Sequence, residues 1–208
     1  MERLLDTIRG VATVRPEDIV RHHDPNPDEN PWVDGVPSPP EWVEVVAYDA
    51  GWPSFYRQLA EQIRLVLDNA ALDIEHIGST AVPGLAAKPV IDIDLTFADP
   101  TLEDGYVPAL ETLGYVLRIR EPGWHQHRCL LLARPRVNLH VFAPGCPETI
   151  RHVLFRDWLR AHPEDRDLYG GAKQLSSNGA RGVIEYNKRK EPVIRDIYAR
   201  IFKAARLL

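Results

Sequence analysis

Two aspartates separated by one residue, Asp92 and Asp94, lie inside the apolar segment 90–97. In a β-strand alternate side chains point to opposite faces, so both carboxylates would project to the same side. Two carboxylates this close repel each other unless a cation or a shared proton lies between them. Mg²⁺ prefers carboxylate and phosphate oxygens as ligands. The spacing therefore predicts a cation site at this pair.

A glycine-serine pair, Gly78 and Ser79, precedes the aspartates and leads into a loop that contains Pro83 and Gly84. Glycine lets the backbone approach a ligand closely, and a serine hydroxyl with neighbouring amides can donate hydrogen bonds to phosphate oxygens. The alternative is a plain turn followed by an edge strand with solvent-facing aspartates. The flanking isoleucines favour a half-buried strand whose polar face has a functional role.

A second strand pattern, residues 137–142, repeats this alternation with Asn138 and His140 on one face. If the two strands are close in the sheet, His140 lies in the same cleft as the aspartates. Histidine can act as an acid or base near neutral pH, and a purely structural histidine is the other interpretation. A role facing the substrate is favoured over ligation, because Mg²⁺ prefers oxygen.

Basic residues collect in the last third of the chain. His152, Arg156 and Arg160 recur at four-residue spacing, and Lys173, Lys188 and Lys190 follow. Arginine and lysine can clamp phosphates, although a solvated helical face paired with acids is the alternative for each residue alone. We expect phosphate contacts from Arg156, Lys173 or Lys190.

Residues 1–41 contain many prolines and are interpreted as an N-terminal arm or linker, whereas residues 42–208 form one domain. Alternating strand and helix patterns predict an α/β (α+β) fold with a mixed sheet and a helical C-terminal third. The predicted strands are 44–48, 74–77, 90–97, 115–119, 128–132 and 137–142. The predicted helices are 53–69, 102–113, 147–161, 164–177 and 182–206. The first of these should bury Phe55, Leu59 and Ile63.

The chain of 208 residues has a formal charge of −5 and no apolar run long enough for a membrane helix. A cytoplasmic protein without membrane association is expected, and its two cysteines are interpreted as reduced thiols. The negative charge argues against broad nucleic-acid binding. A small anionic ligand needs only a few basic groups in one cleft, and a nucleotide fits that description.

The string 76–94 resembles the GrpB-like (UPF0157) family, a branch of the nucleotidyltransferase superfamily. The resemblance extends over roughly residues 42–200 and includes segments 48–53, 139–141 and 155–163, and Tyr186 with Lys190. It implies a nucleotidyltransferase-type mixed sheet flanked by helices, with Mg²⁺ held by Asp92 and Asp94. Related domains also occur fused to dephospho-CoA kinase, which suggests nucleotide or coenzyme metabolism.

The residues and the resemblance together predict catalytic roles for Asp92, Asp94 and His140. The predicted ligand-binding residues are Gly78, Ser79, Thr80, Lys88, Arg156, Lys173 and Lys190. Polymerase-like transferases usually carry a third carboxylate on a later strand, where this chain offers only Asn138 and His140. The leading hypothesis is a Mg²⁺-dependent nucleotidyltransferase that moves a nucleoside monophosphate from an NTP to an unknown acceptor. A catalytically silent nucleotide-binding regulatory module and a metal-dependent hydrolase are the alternatives.

Overall fold

The computed structural model describes residues 14–24, 28–37 and 42–208. Within them the chain forms five strands and six helices. The strands are β1 (Ala71–Ile77), β2 (Ile91–Phe97), β3 (Val116–Glu121), β4 (His127–Leu132) and β5 (Val137–Phe142). The helices are α1 (Pro16–Val20), α2 (Trp52–Leu67), α3 (Val107–Glu111), α4 (Pro147–Ala161), α5 (Pro163–Ser177) and α6 (Val183–Ala204).

The five strands form one mixed sheet in the order β1-β2-β5-β4-β3. The pair β2 and β5 is parallel, and the other three neighbouring pairs are antiparallel. Because β2 and β5 run side by side in register, Asp92 lies beside Asn138 and Asp94 lies beside His140. The sheet thus brings the two polar patterns of the sequence together on one face.

The opposite face of the sheet packs against α2 and α3. Ile93, Leu95 and Leu139 are fully buried there, together with Ile63 of α2 and Leu110 of α3. Burial of these side chains accounts for the alternation in β2 and β5, because residues that face the core must be apolar while their neighbours face the other side. The C-terminal helices cover the polar face.

A second apolar core lies among the C-terminal helices. Leu154 of α4, Tyr169 of α5 and Ile201 of α6 are buried in it with Leu85 from the loop before β2. Pro147 and Pro163 each occupy the first turn of a helix, where the missing amide hydrogen is not needed. Among the described residues, none of the helices combines the length and apolar character that crossing a membrane requires.

The mixed sheet flanked by helices and the helical C-terminal third are confirmed, but some predicted elements are wrong in detail. Residues 44–48 do not form a strand, because only Val46 pairs, in an isolated bridge with Ala87. The predicted helix 102–113 is reduced to a 3-10 turn and the five-residue α3. Phe55 was expected in the core but is 45% exposed.

The described parts of the N-terminal arm contact the domain. Ile19 of α1 is 2% exposed and belongs to the second core, and its carbonyl accepts a hydrogen bond from Arg151. Trp32 forms an isolated bridge with Ile119 of β3. The arm therefore adds more to the core than its prolines indicated, whereas the boundary at residue 41 stays a prediction. Residues 1–13, 25–27 and 38–41 lie outside the described residues.

Candidate functional site

Gly78 directly follows β1 and lies against Asp92 of β2. Its neighbour Ile77 is the antiparallel partner of Asp92, which brings the end of β1 beside this carboxylate. Gly78 has φ 70° and ψ −170°, a region that only glycine adopts easily. A Cβ atom at this position would collide with the carboxylate of Asp92. Both the backbone conformation and the close approach therefore require glycine.

The Asp92 carboxylate is partly buried at the floor of the site. Its Oδ1 atom accepts a hydrogen bond of 2.7 Å from Nδ2 of Asn138 on β5. Burial raises the pKa of the Asp92 carboxyl, and the Asn138 hydrogen bond and the nearby Lys88 and Lys190 charges oppose this effect. The site thus holds a carboxylate that gains from additional positive charge.

Asp94 is deeper, with 3% of its surface exposed. Its Oδ2 atom accepts a hydrogen bond of 2.8 Å from Nδ1 of His152, on α4, while its Oδ1 atom is buried without a hydrogen-bond partner. Burial disfavours the charged His152 ring, but the Asp94 carboxylate outweighs burial and raises the pKa of His152. The unpartnered oxygen leaves Asp94 with capacity to bind a further donor or cation.

A cavity of about 150 Å³ opens beside these groups. Its lining includes Gly78 and the polar side chains of Ser79, Asp92 and His152. The lining also includes Phe155, whose ring packs against those of Tyr169 and Tyr198, two further lining residues. A concave site with an apolar wall and a few convergent polar groups is typical of small-molecule binding.

Three predicted ligand-binding lysines lie around two tyrosines near the aspartates. Nζ of Lys173 lies 4.8 Å from the Tyr169 ring centre, and Nζ of Lys190 lies 4.8 Å from that of Tyr186. Lys88 also faces Tyr186, at 5.7 Å. Lys173 is 1% exposed and its Nζ has no hydrogen-bond partner. Burial and the Lys190 ammonium lower the pKa of Lys173 to about 7, against the opposing effect of Asp92.

The arginines of α4 connect helices to the sheet. Arg156 lines the cavity, but its guanidinium donates to Glu75, to the carbonyl of His76 and to Asp157. Arg160 donates to the carbonyl of Ala81. Because four of its five N–H groups already have partners, Arg156 would have to exchange some of them to bind a phosphate with two hydrogen bonds, and its predicted role stays a prediction.

Thr80 was predicted to bind the ligand, yet its side chain is turned inward. It is 1% exposed, donates a hydrogen bond of 3.1 Å to the carbonyl of Val90 and lies 3.1 Å from Nε2 of His76. The hydroxyl thus ties the loop to the start of β2. A structural role explains these contacts, whereas the neighbouring Ser79 lines the cavity.

His140 lies on the same sheet face as the aspartates, as the alternation of β5 predicts, and is the register partner of Asp94. Its Nδ1 atom is 3.0 Å from Nε2 of His127 on β4. Burial and the nearby rings of His127 and His152 lower the pKa of His140 well below its ordinary value. His140 is therefore neutral near pH 7.

Sequence reasoning did not select His152, Tyr169 or Tyr198 as site residues, although all three line the cavity. His152 shared a helical stripe with Arg156, and this was the one signal that pointed to it. The tyrosines carry no such signal, because their sequence patterns are those of ordinary core residues on α5 and α6. Only the packing of those helices brings their rings to the cavity.

Comparisons with known proteins identify the family and the fold of the chain. A UPF0157 protein of Halalkalibacterium halodurans is 46% identical over 159 residues, which cover 76% of this chain and 82% of that protein. A dephospho-CoA kinase of Mycobacterium tuberculosis is 33% identical over 192 residues; the match covers 78% of this chain but only 47% of the kinase. The crystal structure of the conserved protein GrpB from Enterococcus faecalis is 29% identical with a TM-score of 0.69, covering 77% of this chain and 98% of that one. The family model described as GrpB protein matches residues 42–200, and the chain therefore belongs to the GrpB family.

Proposed function

We propose that the cavity binds a Mg²⁺-nucleoside triphosphate and that the protein transfers the nucleoside monophosphate to an acceptor. The observation that carries this proposal is the junction of Gly78 and Ser79 with Asp92. A loop suited to phosphate oxygens meets Asp92, one of the two carboxylates suited to a cation, in the lining of one cavity. Lys173 and Lys190, which lie over the rings of Tyr169 and Tyr186, would supply positive charge for an anionic ligand.

The residues present fit a single Mg²⁺ ion. Asp92 and Asp94 offer carboxylate oxygens on one face, and Oδ1 of Asp94 is a buried oxygen without a partner. In the described part of the chain, no group of three or more His, Cys, Asp or Glu side chains is arranged to hold a metal ion by itself. Mg²⁺ commonly completes its shell with water and substrate phosphates, so two carboxylates suffice. When bound, the ion would neutralise charge that develops on the leaving pyrophosphate.

The chain's own residues would then orient the reactants. Gly78 and Ser79 would hold phosphate oxygens, and the aromatic residues of the cavity lining would exclude water from the reacting phosphate. In the transfer, an acceptor oxygen bonds to the α-phosphorus, the bond from that phosphorus to the pyrophosphate oxygen breaks, and the acceptor's proton passes to a base. His140 is the candidate base, because it lies beside Asp94 and is neutral.

A specific observation favours a second candidate, a nucleotide-binding module without turnover. The β5 positions beside the aspartates carry Asn138 and His140, and neither adds a negative charge. Without a third carboxylate a second metal has no ligand of its own. Binding without release of pyrophosphate would therefore distinguish this candidate from the transferase.

The test is calorimetric titration with Mg²⁺ and each NTP, followed by an assay of pyrophosphate release. Asp92→Asn with Asp94→Asn should abolish Mg²⁺-dependent nucleotide binding, because the paired charges that hold the ion are gone. Asp104→Asn with Glu111→Gln removes two exposed negative charges elsewhere and should bind like the wild type. Unchanged affinity in a folded Asp92/Asp94 double variant would remove the proposal.

A further inference from the structure

A chain of hydrogen-bonded side chains leads away from the aspartates along the sheet. Oε2 of Glu121 is 2.7 Å from Nδ1 of His127, and Nε2 of His127 is 3.0 Å from Nδ1 of His140. The rings of His127 and His140 are stacked, with centroids 5.2 Å apart. His127 is 2% exposed, so its partners are these two side chains rather than bulk water.

The order of donors and acceptors follows from Glu121. An ionised carboxylate only accepts, so the hydrogen of a neutral His127 ring must be on Nδ1. Nε2 of His127 then accepts, and His140 must donate from its own Nδ1. The remaining nitrogen of His140, Nε2, consequently carries a lone pair. In the described residues no hydrogen bond uses this Nε2.

His140 does not line the cavity itself but lies next to residues of the site. It is the register partner of Asp94, and its ring centre is 6.3 Å from that of His152, which lines the cavity. When one ring nitrogen of a histidine acts at a site, the hydrogen bond made by the other nitrogen, often to a carboxylate, usually fixes the tautomer of the ring.

We propose that Glu121 and His127 are positioning residues that make Nε2 of His140 the base for the acceptor's proton. This inference rests on the proposed nucleotidyl transfer and adds two residues to it. As the acceptor oxygen bonds to the α-phosphorus and pyrophosphate leaves, the acceptor's proton moves to Nε2 of His140. The proton on Nδ1 of His140 passes to Nε2 of His127. The positive charge then lies on His127, beside the Glu121 carboxylate.

The surroundings of the histidines favour this movement of charge. The ring of His140 is hydrogen-bonded to another imidazole, that of His127, and its centre lies 6.3 Å from the ring centre of His152. His127 contacts Glu121 instead, and the side chain of Glu121 is 27% exposed to solvent. A carboxylate next to His127 stabilises the imidazolium that the transfer would create there.

The first test reads the tautomers in the nucleotide-free protein by long-range ¹H–¹⁵N NMR of the histidine rings, assigned with His127→Gln and His140→Gln. The wild type should show both rings protonated on Nδ1 at neutral pH. Glu121→Gln should shift the ring nitrogens of both histidines, because the glutamine amide can also donate to Nδ1. Glu111→Gln, an exposed control, should leave them unchanged. A His140 ring protonated on Nε2, or one indifferent to Glu121→Gln, overturns the proposal.

The second test separates binding from turnover. Glu121→Gln should lower the rate of pyrophosphate release roughly 10- to 100-fold while the Kd for Mg²⁺-NTP stays that of the wild type. An equal loss of nucleotide affinity, or an unchanged rate, contradicts the positioning role. If the wild-type protein binds no Mg²⁺-NTP, the proposed function is contradicted. The tautomer measurement still shows which ring nitrogens of His127 and His140 donate and which accept. Binding without pyrophosphate release removes the base role of His140.

Discussion

Lys173 shows how much the chemistry of a residue depends on what surrounds it. Its ammonium is buried, has no hydrogen-bond partner among the described residues, and lies over the Tyr169 ring beside Lys190. A protein tolerates such a group where an anion binds, because the anion supplies the missing partner. The tyrosine ring gives partial compensation while the anion is absent.

The lowered pKa of Lys173 predicts a specific dependence of stability on pH. The folded-state pKa of about 7 lies below the ordinary value of 10.5, so the unfolded chain binds more protons between these values. Wild-type stability should therefore rise, through this group, as the pH increases from about 7 towards 10. Lys173→Met lacks the buried charge and should be more stable than the wild type near pH 6, with a difference that shrinks by about pH 10.

Urea unfolding of both proteins across this pH range measures the difference. Lys188→Met is the matched control, because Lys188 is exposed on α6 and its removal should not alter the pH dependence. Parallel stability curves for the wild type and Lys173→Met would show that the lysine is not the source of the effect.

At the scale of elements, the junction of β1 with the loop before β2 is the most constrained part of the site. β1 and β2 are antiparallel, and β1 ends at Ile77, directly beside Asp92. The chain after β1 must therefore turn away so that the Asp92 side chain is not blocked. A glycine with φ 70° allows that departure, and the 3-10 turn Ser79–Ala81 follows immediately. The sequence predicted a glycine that lets a ligand approach the backbone, which stays a prediction, and the structure places the Asp92 side chain against this glycine.

Gly78→Ala should both destabilise the protein and weaken Mg²⁺-NTP binding. The strained backbone alone costs roughly 1 to 3 kcal/mol, and the methyl group displaces Asp92. Gly171→Ala is the control, since Gly171 lies within α5 with open space around it and alanine favours helix by roughly 0.5 to 1 kcal/mol. Thermal unfolding and calorimetric titration report the two effects. Normal nucleotide affinity in Gly78→Ala would show that the loop does not contact the ligand.

At the scale of the whole molecule, the sheet separates two cores, and the site lies on the side of the helical core. One core fills the space between the sheet and helices α2 and α3, and the other fills the helical C-terminal layer. Arg156 and Arg160 connect the layers by donating to carbonyl groups of β1 and the following loop. The N-terminal segment joins the second core through Ile19.

Ile19→Ala should lower the free energy of unfolding by roughly 2 to 5 kcal/mol, because it leaves a cavity in the second core. Nucleotide affinity of the folded protein should be unchanged, since Ile19 does not line the cavity. Ile184→Ala removes the same atoms from a side chain that is 85% exposed, and should change stability by less than about 0.5 kcal/mol. Equal effects of the two substitutions would mean that the arm is not packed on the domain in solution.

Most of the fold could be predicted because its signals are local. The alternation in β2 and β5 and the periodicity of α4, α5 and α6 each follow from which side chains an element must bury. The strand predicted at 44–48 had the right residue types, but a strand needs a partner, and only Val46 found one. Similarly, the predicted helix 102–113 forms only as the short α3, although Tyr106 before it and Leu110 within it are both buried in the core.

For the site, the sequence by itself determined the residue types and their faces: the glycine at 78, the carboxylates at 92 and 94, and the histidine at 140. Tertiary structure alone decided which of these groups have partners. The parallel register of β2 and β5 brings Asn138 within hydrogen-bonding distance of Asp92. The packing of α4 on the sheet does the same for His152 and Asp94, and the pairing of β4 with β5 does so for His127 and His140. Such contacts join residues 13 to 58 positions apart. Because they depend on how separate elements pack, no local pattern in the chain could encode them.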